Sequence, residues 1–194
     1  MNMDVGYRAR QFWAAVRATP DLADLQLAQS YLTAKQIKLF ESMQPSEQAH
    51  SLQVFKQLYI QAGQNTDQME KHYPDLLVAA LLHDVGKSRQ PLRLWERVLI
   101  VLARAFFPRQ ARQWGHPREA VEAGTKQKLL WLDWRRPFII AEQHPRWGAE
   151  MAADVGASPL TISLILHHQQ EITAPPTTME ERFLHKLQSV DSTL

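Results

Sequence analysis

The run Leu76-Leu77-Val78-Ala79-Ala80-Leu81-Leu82 carries no polar side chain and ends on the ionisable pair His83-Asp84. Pro74 stands where the first turn of a helix tolerates proline, so the run reads as a helix. A helix that is apolar on every side has no face to offer to water and is expected at the centre of a fold. Its end then delivers a histidine and an aspartate to the interior. Buried ionisable groups are costly unless they are paired or hold a metal. Gly86, just beyond the pair, is expected to stop the helix as a C-terminal cap.

The rest of the chain reads as helix too. No alternation of apolar and polar residues is long enough to argue for a strand. Helices are expected at 7–17, 22–32 and 34–43, the last capped by Thr33. A long helix from Pro45 to about Ala62 carries His50, and others follow at 91–107, from Pro117 to about Trp131, at 137–154 and at 159–170. A final helix is expected from Met179 to Asp191. The fold class is therefore all-α. At 194 residues the chain is long enough to close one real core. Residues 1–43 are expected as an N-terminal helical extension packed on a single compact domain spanning 44–194.

The chain has no cysteine, which excludes thiolate metal sites and disulfides. The longest apolar stretch, Val98 to Phe107, is interrupted by Arg104 and falls short of the about 20 residues that span a bilayer. No signal-like segment opens the sequence, so a cytoplasmic location is expected. A net charge of +2 implies little about partners, but its distribution is uneven. Between Lys87 and Arg118 the only acid is Glu96, and Arg93, Arg97 and Arg104 share one helical face. That segment is either a solvated face or an attractor for phosphate, nucleic acid or an anionic membrane. The 92–107 helix is expected to pack into the domain rather than lie on a membrane. No DNA or RNA partner is predicted, and a homodimer is admitted but not required.

Chemistry-bearing residues recur in order: His50 in EQAHSLQVF, His83-Asp84 in ALLHDVGK, His144 in EQHPRWGAEM, His167-His168 in ILHHQQ, and Asp191 in LQSVDSTL. Each falls on an expected helix or its end. The series resembles the HD-domain superfamily of metal-dependent phosphohydrolases, in its multi-histidine branch, which includes the HD-GYP cyclic-dinucleotide phosphodiesterases. The resemblance runs from about Gln44 onward. It implies a helical HD-type domain with two metal positions. The first would be held by His50, His83, Asp84 and Asp191. The second would share Asp84 and add His144 with His168, or His167 in its place. Lys87 matches a position at the substrate phosphate or the bridging water, and Arg89 is expected beside it. The Gly-Tyr-Pro motif of the cyclic di-GMP branch is absent, because Gln169-Gln170-Glu171-Ile172 follows the paired histidines.

The donor set agrees with the resemblance on chemical grounds. Neutral imidazole and carboxylate suit iron, manganese, zinc, nickel or cobalt, of which iron or manganese is expected here. Two ions about 3.5–4 Å apart acidify a shared water and hold phosphoryl oxygens. The expected function is hydrolysis of a phosphate ester of a nucleotide or cyclic dinucleotide, with Asp84 and Lys87 as the catalytic residues. The competing expectation is a catalytically inactive HD-type signalling or nucleotide-binding module, against which the unbroken series argues. Glu47, one turn before His50, is within reach of a metal. His72, His116 and His185 are expected to be structural or solvent-facing, and the tryptophans, Trp95, Trp131 and Trp134 among them, to serve packing.

Overall fold

The computed structural model describes residues 19–64, 73–116, 134–172 and 174–193. Among these every regular element is helical: α1 Leu22–Gln29, α2 Ala34–Glu41, α3 Pro45–Gln64, α4 Tyr73–Leu82, α5 Leu94–Phe106, α6 Pro108–Gly115, α7 Arg136–Asp154, α8 Pro159–His167 and α9 Met179–Asp191. A short 3-10 turn, Val85–Arg89, follows α4. The chain is all-α, as its patterning requires. The helices expected at 7–17 and after Pro117 lie outside the described residues.

Helix starts follow side-chain chemistry. Asp21 accepts from the backbone N–H groups of Ala23 and Asp24. Thr33 and Gln36 form a reciprocal capping box at α2, and Thr178 and Glu181 form one at α9. Ser158 caps α8 by accepting from Thr161 N–H. The end of α7 is a Schellman turn around Gly156, at φ 78°. There Ala157 N–H donates to Ala152 C=O and Gly156 N–H to Ala153 C=O, each at 3.0 Å.

α4 is the central element. Leu76, Ala79, Ala80, Leu81 and Leu82 are fully buried. α3 and α8 flank it, α7 packs on α8 and on the 3-10 turn, and α9 closes on α3 and α8. Ala28, Leu32, Phe40 and Met43 belong to the same apolar cluster as α3 and α4, so residues 22–43 pack into the common core. A second cluster joins Ile100 and Ala103 of α5 to Ala111 of α6 and to Phe138, Ile140 and Ala141 of α7. α5 and α7 are also joined by a buried ion pair between Glu96 and Arg136.

Gly86 departs from expectation. Its φ is not positive, and the one described glycine with positive φ is Gly156. Gly86 is required for space: a Cβ there would collide with the His144 carbonyl oxygen and lie 2.6 Å from Gly148 N. The turn after α4 therefore sits against the α7 backbone beside His144. The 92–107 helix also departs. One face is buried through Glu96, Ile100 and Ala103, but Leu94, Trp95, Val98, Val101, Leu102 and Phe106 are exposed. Trp95 is thus a surface residue rather than a core one, Trp134 is exposed yet packs edge-on against Trp114 and Phe138, and Trp131 lies outside the described residues.

Candidate metal centre

α4 ends by placing His83 and Asp84 in the interior, at 1% and 5% relative exposure. The last carbonyls of a helix have no partner within it. His83 Nδ1–H donates to one of these, Ala80 C=O, at 2.8 Å. At the end of α8, His168 Nδ1–H donates in the same way to Ile165 C=O at 2.7 Å. His144, in the middle of α7, directs Nδ1 to Ile140 C=O at 3.2 Å. In all three rings a backbone acceptor holds the hydrogen on Nδ1 and turns Nε2 inward, the arrangement typical of metal-ligating histidines.

The inward nitrogens converge on Asp84. Its Oδ1 lies 3.3 Å from His144 Nε2 and 3.9 Å from His168 Nε2, and its Oδ2 lies 3.7 Å from His83 Nε2. Asp191, the last residue of α9, puts Oδ1 2.7 Å from His50 Nε2 and 3.5 Å from His83 Nε2. Phe183, Leu187 and Val190 are buried and seat that helix end on the core. Two compact donor sets result: His50, His83 and Asp191, and Asp84, His144 and His168. Either could hold a metal ion, and Asp84 turns one oxygen toward each.

Two observations test whether a cation fits. His83 Nε2 is buried with no hydrogen-bond partner among the protein atoms. His144 Nε2 and His168 Nε2 stand 3.3 Å apart, with both Nδ1 hydrogens already committed to carbonyls. Gln169 Nε2 can donate to His144 Nε2 at 3.3 Å, but His168 Nε2 is left facing an acceptor in a low-dielectric interior, which a cation within reach of both rings would relieve. The residues present therefore fit a divalent metal.

The electrostatics are those of a cation-seeking pocket. Burial works against the Asp84 charge, but Lys87, His83 and His144 outweigh it and hold the carboxyl well below the ordinary range. For Asp191, burial is likewise overcome, by His50 and His83, and that carboxyl is also held low. Burial lowers His168 to about 3, helped by the neighbouring His83 and His144 rings. His144 is lowered by burial and by Lys87, against the pull of Asp84. Burial alone would lower His83, but Asp84 and Asp191 draw positive charge to its ring and raise it to about 9, a charge that a metal ion held by the same carboxylates would take over.

The remaining expected site residues divide. Lys87 Nζ donates to Asp84 Oδ2 at 2.6 Å and lines a cleft that opens at His144. His167 stays outside both donor sets: it is half-buried, with Nδ1 3.1 Å from Ser163 Oγ. Of the paired histidines, the centre takes His168. Arg89 pairs with Glu150 at 3.1 Å, with both side chains about half exposed, and lines neither cleft at the site. Glu47 is not drawn into a donor set. It is buried, accepts from Arg97 Nη2 at 2.8 Å and caps the Gln44 N–H. Burial raises its carboxyl against the pull of Lys87 and Arg97. His116 and His185 are exposed, and His72 lies outside the described residues.

Sequence reasoning read the arginines of α5 as one basic face, either solvated or attracting phosphate, and the structure brings two of them to a cleft at the site. Arg97, Arg104 and Lys87 line the first cleft with Leu92, Ile100 and Val101. A second, of about 640 Å³, is lined by Arg104, Arg112, His168 and Asp191 and shares Arg104 and Gln169 with the first. The signal was the i, i+4, i+11 spacing of Arg93, Arg97 and Arg104, which marks a common face without showing what it meets. No protein-family model, curated protein or solved structure matches this chain.

Proposed function

We propose that this chain is a metal-dependent phosphohydrolase of HD type, acting on the phosphate ester of a nucleotide or cyclic dinucleotide. The carrying observation is the convergence of His83, His144 and His168 through Nε2 on Asp84, beside a cleft with three cationic side chains. His50, His83 and Asp191 would hold one ion, and Asp84, His144 and His168 a second. Iron or manganese is the favoured metal, with zinc, nickel or cobalt also compatible with the donors. When bound, the metal supplies a water acidic enough to act as a nucleophile near neutral pH.

The chain's own groups do the rest. Lys87 and Arg104 present cations to the oxygens of a phosphoryl group and stabilise the charge it gathers as the ester bond breaks. Arg97, pinned by Glu47, Gln44 and Ser46, gives that wall a fixed orientation. Leu92, Ile100 and Val101 supply apolar surface for the esterified group. The 640 Å³ of the second cleft lies within the usual range for small-molecule sites.

The test combines metal content with hydrolysis. Protein purified without a His tag and loaded with manganese or iron is assayed on cyclic and linear dinucleotides and on nucleoside monophosphates. Activity that depends on metal and is lost in His83→Ala and Asp84→Ala supports the reading. Nucleotide binding that persists without metal and without turnover would replace it with an inactive nucleotide-binding module.

A further inference from the structure

α5 buries one side and, among the described residues, leaves the other without cover. Leu94, Trp95, Val98, Val101, Leu102 and Phe106 follow each other at helical spacing on its outer face, and Phe107 continues the patch. Trp95 and Phe106, at opposite ends, are 55% and 72% exposed. Single exposed apolar residues are ordinary, whereas a contiguous stripe of this length marks a contact surface. No helix among the described residues is long and apolar enough to cross a membrane.

The charge around the stripe selects its partner. Glu96, the only acid between Lys87 and Arg118, is buried against Arg136. The solvent side of α5 and α6 thus carries apolar and basic side chains, with Arg104 and Arg109 exposed and Arg112, also exposed, 3.7 Å from Glu171. A second copy of this face would bring more arginines and, from α5 and α6, no exposed carboxylate to neutralise them. Anionic lipid headgroups neutralise them while the acyl boundary receives the apolar side chains.

We propose that the outer face of α5, with Arg109 and Arg112 at its end, docks the protein on an anionic lipid bilayer. The helix lies in the plane of the membrane with Trp95 and Phe106 inserted at the headgroup boundary. Val101 belongs both to this face and to the wall of the first cleft, so docking brings the cleft mouth to the membrane surface. The inference stands on exposure and charge and is independent of the phosphohydrolase reading.

The test is co-sedimentation of the full chain with vesicles of phosphatidylcholine alone and of phosphatidylcholine mixed with phosphatidylglycerol. Partitioning at least about tenfold stronger onto the anionic vesicles is expected, weakening as salt is raised. Leu102→Gln combined with Phe106→Gln, and separately Trp95→Gln, are expected to lose most of the binding. Both leave the buried side of α5 untouched, and circular dichroism checks their folding. No preference for anionic vesicles, or binding unchanged in both variants, overturns the proposal. So does a dimer in analytical ultracentrifugation that dissolves in the double variant while vesicles go unbound, because a second copy then covers the face.

Discussion

His144 and His168, from different helices, face each other through Nε2 at 3.3 Å while each gives its Nδ1 hydrogen to a carbonyl of its own helix. Neither ring can turn its lone pair away without breaking that bond. The pair is preorganised for a cation. His168→Ala should therefore weaken metal binding by at least about tenfold, with helicity unchanged. Elemental analysis after dialysis against a weak chelator, alongside circular dichroism, reads this directly, and full metal retention would remove His168 from the centre.

Lys87 bridges the centre and the cleft. Under the proposed activity its charge serves the reacting phosphoryl group more than the bound ground state. Lys87→Met should lower kcat by roughly 10²-fold with little change in metal content. Steady-state kinetics distinguish this from a binding role, in which KM would move instead.

Gly86 couples the turn after α4 to the backbone of α7. A methyl group there meets the His144 carbonyl and Gly148 N, neither of which can move without displacing the helix. Gly86→Ala should cost about 3 kcal/mol and lower metal affinity as well, because His144 shifts with its backbone. Urea unfolding and metal titration on the same sample measure both effects.

Glu96 and Arg136 form an ion pair at 3% and 2% exposure, and Arg136 Nη2 also donates to Pro91 C=O at 3.0 Å. Removing the carboxylate takes from a buried guanidinium the counter-charge that Glu96 supplies. Glu96→Ala should destabilise the chain by roughly 3–5 kcal/mol, read from the denaturation midpoint. A loss below 1 kcal/mol would mean that water reaches Arg136.

Glu181 accepts from the backbone N–H groups of Thr178 and Thr177 and from the Thr177 hydroxyl, which lower its carboxyl from 4.5 to about 2. A carboxyl lower in the folded state than in the unfolded one stabilises above the unfolded value, and the contribution is lost as pH falls through the folded one. The α9 cap should therefore weaken between about pH 4.5 and 2. A carboxyl titration by NMR that places Glu181 near 4.5 would contradict the cap geometry. Thr178→Ala, which removes the reciprocal bond, should cost about 1 kcal/mol.

Much of this architecture was written in local chemistry. The apolar circumference of 76–82 leaves α4 no position but the centre, and the caps at Thr33 and Thr178 act over three residues. The last helix was legible at about Met179 to Asp191 because the Pro-Pro loop at 175–176 sets where it begins, and the structure adds the capping box that opens it. His83 and Asp84 were legible because the residues that follow a central helix are inside whatever else the chain does.

What the sequence left open were relationships between distant segments. Nothing local separates His167 from His168. Position 168 faces Asp84 only because α8 ends one residue earlier and packs on α4 and α7. Gly86 reads as a left-handed stop by local rules, yet it is needed for the approach of a helix about sixty residues away in the chain, and only packing reveals that. The exposed stripe of α5 is as apolar as many core faces, and composition cannot say which side of a helix meets protein. A sequence sets which surfaces repel water and which backbone ends need partners. Which of those surfaces are covered, and which side chains converge, depends on long-range packing, and here that packing brought α7 and α8 to the carboxylate of Asp84 at the end of α4.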